Sequence, residues 1–491
     1  MDFILKGHDC EHAVQTMIQV FFPNEGYKRR ELPPENGKAV VSELRDGVCY
    51  ASVVENGAEQ ARGSHPVKPF INKADEKKAL TQALALAIYK ALSDLTGYRP
   101  PWGTLTGVRP AKIITELRSS GFSYEYGAGY LREAYNVGED KISLCLEVAR
   151  AEERFIAGST GKDCGIYIGI PFCPTRCRYC SFVSYPMDRS GVFLEDYFRA
   201  LFKELDYLGN AARDKNVRAV YVGGGTPTSL EPNMLDKLLL KIKTQFDEAA
   251  ELTVEAGRPD SINREKLAVL KAYGVTRIAI NPQTMSEVTL KRIGRNHTPA
   301  DFLRAYELAE GMGFDNINCD VIMGLPGEGP ADAEHTFETL ARLNPASVTV
   351  HTLAMKRAAE LNQVIGRYGA EAEKTAEPLK TVSDTISRML EISRKACASM
   401  GQRPHYMYRQ KNMAGNFENV GYARDGYECI YNLQTMTEAQ SVLAAGAGAV
   451  TKVIYPSINL IKRAFNVRDI AGYIGRIDEM IGRKRKLLSG E

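Results

Sequence analysis

The sequence is poor in tryptophan, with Trp102 the single copy, and poor in histidine, with 7 in 491 residues. It has almost no excess charge of either sign. Its 63 Lys and Arg face 60 Asp and Glu, a net charge of +3. That balance gives no long-range field of the kind that draws nucleic acid or an anionic surface. Long apolar runs are also missing. The longest, ALALAIYKAL, is interrupted by Lys90 and falls well short of the roughly 20 residues of a spanning helix. The opening MDFILKGHDCEH lacks a basic region followed by an apolar stretch and a small-residue cleavage site. These features predict a cytoplasmic chain with no membrane span. Low-complexity tracts and short-period repeats are absent too. With 44% hydrophobic and 25% charged residues, the composition excludes a disordered chain and describes an ordinary globular one. The length suggests about three domains, enough to bury a large core without disulfide staples.

Residues 1–100 read as a small α+β domain. A strand at Phe3-Ile4-Leu5 is followed by a helix over 11–22, and AVVSEL and VCYASVV form two strands around a hairpin at Asp46-Gly47. A helical pattern over 75–96 ends at Gly97. The Pro/Gly-rich YRPPWGTLTGVRP opens a helical connector over 101–160. From Cys164 β-rich runs alternate with helical segments: 165–170, 217–223, 251–256, 275–280, 317–324 and 346–354. Such alternation implies a parallel sheet, and six units rather than eight imply an incomplete barrel over 161–375. Residues 376–491 read as a mostly helical C-terminal extension. The fold class is therefore α/β, a partial (β/α)6 barrel between an N-terminal α+β domain and that extension. In such folds chemistry sits at the C-terminal ends of the strands. Cys173, Gly223-Gly224-Gly225, Glu255, Asn281, Gln283, Asp320 and His351 all fall at or near those ends.

What the chain does have is cysteine. Ten are present, and three crowd into GIPFCPTRCRYCSF, residues 169–182. The spacing is C-x3-C-x2-C through Cys173, Cys177 and Cys180. In a reducing compartment such crowding points to metal rather than disulfides. Thiolates suit iron–sulfur clusters or zinc. A closed site takes four protein ligands, and here Phe182 stands where a further cysteine would be. Three thiolates on a four-iron cluster leave one iron open to the amino and carboxylate groups of a small molecule. Buried free thiols, or zinc completed by a distant ligand, are the alternatives that spacing alone leaves open.

The spacing, directly after the first strand of a β/α series and with Tyr179 before the last cysteine, resembles the radical S-adenosylmethionine (SAM) superfamily. GIYIGIPFC, CRYCSF, GGGTPT, TVEAGRPD, NPQTM, IGRNH, DVIMGLPGE and GAGAV occur in the order seen in oxygen-independent coproporphyrinogen III oxidases (dehydrogenases). The whole chain, including RPPWGTLTGVRPAKI and YRQKNMAGNFENVGYA, looks most like their HemZ-like branch. The resemblance implies a [4Fe–4S] cluster on Cys173, Cys177 and Cys180. It implies a cluster-bound SAM touched by Tyr167, Gly224 and Glu255. It further implies a second SAM touched by Tyr179, Gly225, Thr226, Gln283, Arg295 and Asp320, with Ala445–Val450 near the adenine. A 5′-deoxyadenosyl radical would abstract the hydrogen, so no acid or base of the chain is assigned. Two features depart from the family. Well-characterised dehydrogenases carry a fourth cysteine two residues after the third, where this chain has Phe182, as haem-chaperone relatives do. Those relatives carry a C-terminal His-Asn-x-x-Tyr-Trp signature that this chain lacks.

The implied substrate is coproporphyrinogen III, a flat macrocycle with four propionates, taken to protoporphyrinogen IX in haem biosynthesis. Recognition of such a molecule calls for guanidinium or ammonium groups beside an aromatic wall. Lys356, Arg357, Arg403, Arg409 and Lys411, near Tyr406 and Tyr408, are the candidate clamp. The implied partner is a low-potential electron donor such as a flavodoxin or ferredoxin, with no nucleic acid. A haem-trafficking protein on the same scaffold, a methyltransferase acting on haem and an RNA-modifying enzyme are the rival readings.

Overall fold

The computed structural model describes residues 1–490 except 24, 69–72, 355–378, 411–415, 456–457 and 459. The chain forms two compact units that do not follow chain order. The first comprises Met1–Ala149, Glu373–Ser387 and Tyr408–Glu418; the second comprises Arg150–Ala372, Arg388–Met407 and Asn419–Glu491.

The first unit contains a four-stranded sheet of β1 (Asp2–Lys6), β2 (Lys38–Arg45), β3 (Val48–Glu55) and β4 (Ala58–Pro66), in that order. β1 and β2 are parallel and the other pairs antiparallel. Asp46 and Gly47, at φ 51° and 72°, make the left-handed two-residue turn expected between β2 and β3. A second such turn at Asn56-Gly57 leads into β4. Its sequence, AEQARGSHP, alternates too weakly in polarity to announce a strand, and most of it is exposed. Helices Glu11–Phe21 and Lys73–Thr96 contribute Val14, Met17, Ile18, Leu84 and Ile88 to a core with Phe3, Val40, Cys49, Ala51 and Val53. Every side chain in that set is essentially removed from water.

The second unit is built on an eleven-stranded sheet. Six of its parallel strands are β5 (Asp163–Ile170), β8 (Asn216–Gly224), β9 (Glu251–Glu255), β10 (Arg277–Ala279), β11 (Ile317–Met323) and β12 (Ser347–Thr352), those expected from sequence. Between β5 and β8 lie the short β6 (Phe172–Cys173) and β7 (Tyr185–Pro186), which pair only with each other. The C-terminal extension adds helices and also five strands: β13 (Arg403–Tyr408), β14 (Asn419–Ala423), β15 (Ser441–Ala445), β16 (Val450–Tyr455) and β17 (Leu460–Phe465). These are short runs whose periodicity is below what a sequence reading resolves. The sheet order is β13-β14-β12-β11-β10-β9-β8-β5-β15-β16-β17, an open sheet rather than a closed barrel.

Alternation along the parallel strands separates two faces. One carries Ile166, Ile168, Ile170, Val220, Val222, Leu252, Val254, Val321, Val348 and Val350, all buried. The intervening positions include the polar or aromatic Tyr167, Tyr221, Thr253, Glu255, Arg277, Asn318, Asp320, Ser347, Thr349 and His351. Helix Ile430–Thr437 covers this polar face toward the strands' N-terminal ends. Tyr431 stacks on Tyr221 and Tyr167, with ring centroids 4.5 and 5.9 Å apart. Its first amides, Ile430 N and Tyr431 N, donate to the Glu251 carboxylate at 2.9 and 3.3 Å, which offsets the unpaired N–H groups of the helix start. The C-terminal strand ends are left for the site.

Candidate functional site

The cysteine loop leaves β5 through Pro171 and β6. Cys180 N donates to Cys177 O at 3.1 Å, forming a tight turn that presents both thiols from one short segment. None of the three is in a disulfide, and each is half-buried. Each sulfur has a polar partner: Thr226 Oγ1 lies 3.5 Å from Cys173 Sγ and Ser184 Oγ 3.9 Å from Cys180 Sγ. Arg258 NH1 donates to Cys177 Sγ at 3.6 Å. Burial pushes the Cys173 thiol up to about 11 in the metal-free chain, against the pull of Thr226. Among the described residues, no three His, Cys, Asp or Glu side chains are grouped to hold one metal ion. Three thiols carried on one loop are the soft donor set that an iron–sulfur cluster takes.

The end of β8 is moulded against this loop. Gly224 has φ +107°, and a Cβ at Gly225 would stand 2.4 Å from Phe172 O and 2.9 Å from Ile170 O. Only glycine permits that backbone approach. Gly225 N and Thr226 N donate to those same carbonyls, Ile170 O at 2.8 Å and Phe172 O at 2.7 Å. The loop and the strand end are thereby one rigid piece.

Across the polar face, Glu255 accepts from Tyr221 OH at 2.5 Å. Burial raises its pKa to about 7, with the neighbouring Asp320 adding to the rise and Tyr221, the Gly224 backbone and His351 opposing it. Asp320 accepts from Asn281 Nδ2 at 2.8 Å and Asn318 Nδ2 at 2.7 Å, and His351 Nε2 lies 3.9 Å away. Burial works to protonate Asp320, but the His351, Asn318 and Thr349 side chains prevail and hold its pKa below the usual carboxylate value. Gln283 has φ +65°, rare for a residue with a side chain. Its backbone is pinned by Asp320 O at 3.0 Å and Ile322 N at 2.9 Å, yet its amide oxygen is buried with no partner. A positive φ and an orphaned buried acceptor thus coincide at Gln283. Arg295 is buried. Its NH1 donates to Gly257 O at 3.1 Å and Asn281 O at 3.0 Å, and its Nε to Tyr179 OH at 3.3 Å. Tyr179 also packs on Leu290, Ile293, Ile322, Leu325 and Leu353.

Behind the loop a closed buried network holds the turn after β15. Lys484 Nζ meets Glu204 Oε1 at 2.6 Å, with both side chains essentially inaccessible. Glu204 Oε2 accepts from Tyr473 OH at 2.6 Å and Gly446 N at 2.8 Å. Gly446, at φ +102°, lies so close to Gly169 that a Cβ would stand 2.4 Å from its carbonyl oxygen. The turn of Ala445–Val450 is thus fixed beside the start of the cysteine loop.

The structure brings Tyr167, Cys173, Tyr179, Gly224, Gly225, Thr226, Glu255, Gln283, Arg295 and Asp320 to one end of one sheet. It disperses the basic candidates. Arg403 is an exposed residue whose partner is Asp425 at 3.9 Å. It sits beside the β14 end, where Ala423 pairs with Ser347, the first residue of β12, and so at the opposite end of the sheet. Arg409 belongs to the first unit and is buried there. Its guanidinium stacks over Trp102 at 5.2 Å and donates to Leu105 O and, at 2.7 Å, to Asn416 O. Burial lowers its pKa to about 10. Both are corrections to the expected clamp: one faces solvent elsewhere and the other is structural. Lys356, Arg357 and Lys411 lie outside the described residues. Sequence reasoning passed over Arg258, Tyr221 and Tyr431. Arg258 lay inside the TVEAGRPD motif, and its signal was a guanidinium flanked by Pro259 and Asp260 one turn from a strand end.

A family model for the radical SAM superfamily matches residues 167–340. The oxygen-independent coproporphyrinogen-III oxidase-like protein HemZ of Bacillus subtilis is 37% identical over 91% of this chain and 89% of its own length. The heme chaperone HemW of Escherichia coli is 29% identical over 60% of this chain and 72% of its own. Among solved structures, coproporphyrinogen III oxidase (HemN) from Escherichia coli, described as a radical SAM enzyme, superposes with a TM-score of 0.51. It covers 68% of this chain and 73% of its own at 21% identity, a likeness of fold.

Proposed function

On the premise that this chain belongs to the radical SAM superfamily and within it to the family of HemZ, we propose that it decarboxylates coproporphyrinogen III oxidatively without oxygen. A [4Fe–4S] cluster and SAM, when bound, would supply a 5′-deoxyadenosyl radical for hydrogen abstraction at a propionate β-carbon, and loss of CO2 with transfer of one electron to an external acceptor would leave the vinyl group. In this reading Cys173, Cys177 and Cys180 hold the cluster. Tyr167, Gly224 and Glu255 hold and orient the first SAM, with the Glu255 carboxylate accepting from ribose hydroxyls. Tyr179, Gly225, Thr226, Gln283, Arg295 and Asp320 hold a second SAM, matching two successive decarboxylations. The observation that carries the reading is the polar face itself, where the unpartnered Gln283 oxygen and the Glu255 and Asp320 carboxylates flank the cysteine loop. Lys356, Arg357 and Lys411 remain the proposed propionate partners. A low-potential donor of the flavodoxin or ferredoxin class delivers the electrons. Among the described residues no helix is long and apolar enough to cross a membrane.

Phe182, 67% exposed beside the cysteine loop, favours a second reading. It stands where the well-characterised dehydrogenases have a fourth cysteine, and the relatives named heme chaperones support a haem-carrying role. One anaerobic assay separates the two, using reconstituted chain, SAM, dithionite and coproporphyrinogen III. Decarboxylation predicts one CO2 and one 5′-deoxyadenosine per vinyl group formed. Stoichiometric haem binding without substrate-dependent SAM cleavage would replace it with the carrier reading.

A further inference from the structure

Among the described residues, one of the three cysteine sulfurs accepts a hydrogen bond from a charged side chain. Cys173 and Cys180 face the neutral hydroxyls of Thr226 and Ser184, whereas Cys177 faces a guanidinium. That guanidinium, on Arg258, is 2% exposed, and all five of its N–H groups have an acceptor. Nε and NH2 fork onto the Asp260 carboxylate at 2.9 and 2.7 Å. NH1 donates to Thr175 O at 3.1 Å and to Cys177 Sγ at 3.6 Å, and NH2 donates to Thr175 Oγ1 at 3.1 Å. Its backbone is fixed as well, since Ser261 N and Oγ both donate to Arg258 O, at 2.9 and 2.7 Å. Pro259 limits the chain that follows. The side chain therefore has one position, with its charge aimed at one sulfur.

We propose that Arg258 sets the reduction potential of the cluster through Cys177, and that Asp260 moderates it. A hydrogen bond and a fixed positive charge at a ligating thiolate stabilise the form with one more electron, so they raise the potential. The step concerned is the entry of one electron from an external low-potential donor, with no bond made or broken. The Asp260 carboxylate partly neutralises the guanidinium, while the Thr175 contacts keep NH1 turned to sulfur. Arg258 is a positioning and tuning residue: it touches a ligand of the cluster, and the chemistry at the open iron proceeds elsewhere. Its second effect is mechanical, because the Thr175 contacts brace the segment between Cys173 and Cys177. The inference rests on the cluster and is independent of which tetrapyrrole is the substrate.

The test is an EPR-monitored redox titration of the full-length reconstituted chain without substrate, with iron counted in every sample. Arg258→Met is expected to lower the equilibrium constant for reduction at least tenfold, a downward shift of 59 mV for one electron. Arg258→Lys, which keeps the charge, is expected to restore most of that loss. Asp260→Asn leaves the guanidinium less neutralised and is expected to move the potential up. A bracing role alone would alter iron content in Arg258→Met and Arg258→Lys alike without these opposed shifts. An Arg258→Met protein with full iron and an unmoved potential overturns the proposal. Should Arg258→Met fail to take up iron, an Asp260→Asn potential equal to or below that of the unsubstituted chain overturns it instead.

Discussion

The two sheets of this protein bury opposite things. In the four-stranded sheet the covered face is Phe3, Val40, Cys49, Ala51 and Val53 against aliphatic helix faces. In the eleven-stranded sheet one face is equally apolar, but the other presents Tyr167, Tyr221, Glu255, Arg277, Asn281, Asn318, Asp320 and His351, and most of these are fully or largely buried. Stability alone would not select such a face, because buried polar groups contribute little net free energy even when paired and are costly when unpaired. The difference teaches where to look for function. The apolar faces stabilise each unit, and the polar face is what we propose as the binding surface of the second.

That division has unequal consequences for substitution, and the largest effect belongs to the apolar side. Phe3→Ala is expected to destabilise the first unit by about 3–5 kcal/mol through lost burial and a residual cavity, read by denaturant unfolding, while SAM binding is unchanged. Gln283→Ala is expected to do the reverse. Its buried amide oxygen has no partner to lose, so stability changes by less than about 1 kcal/mol, while SAM affinity by calorimetry falls at least tenfold. If Gln283→Ala unfolded the chain and left SAM affinity intact, the contrast between the faces would be broken.

A smaller effect is the pH response of the polar face. Glu255, faced by Tyr221, Asp320, His351 and the Gly224 backbone, has its pKa raised by burial from the ordinary carboxylate value of 4.5 to about 7. Between those two values the folded chain binds more protons than the unfolded one, so stability falls as pH rises through that window. The slope is at most about 1.4 kcal/mol per pH unit. It is expected in the cofactor-free chain and absent from Glu255→Gln, and urea midpoints from pH 5 to 8 measure it. Equal slopes in the two proteins would remove Glu255 as the source.

Much of the second sheet was legible because six of its parallel strands are aliphatic runs spaced by amphipathic helices, and because many of the candidate site residues sit at or just past the ends of those runs, where glycine, proline and polar residues break the pattern. The cysteine spacing pointed to metal, and its place after the first strand together with the downstream motifs pointed to the superfamily. The strands of the C-terminal extension were not legible. RPHYMY and NVGYA are short, and NVGYA becomes a strand by pairing at the edge formed by β12 and RPHYMY by pairing on NVGYA in turn, a tertiary cause that local sequence does not carry. The basic clamp was read from composition, and composition does not distinguish a guanidinium stacked inside the first unit, as Arg409 is, from one that faces a ligand. Arg258 was missed for the converse reason. Its role depends on a sulfur 81 positions away in sequence, and only the fold brings the two together.

The claim on which the rest depends is that three thiolates anchor a cluster whose remaining iron takes SAM at the polar face. EPR of the anaerobically reconstituted, dithionite-reduced chain, recorded with and without SAM, tests it most directly. The account predicts about four irons per chain, a reduced-cluster signal that changes shape when SAM is added, and loss of both iron and signal when Cys173, Cys177 and Cys180 are replaced by alanine. A signal identical with and without SAM, or full iron retained by the triple variant, would contradict it.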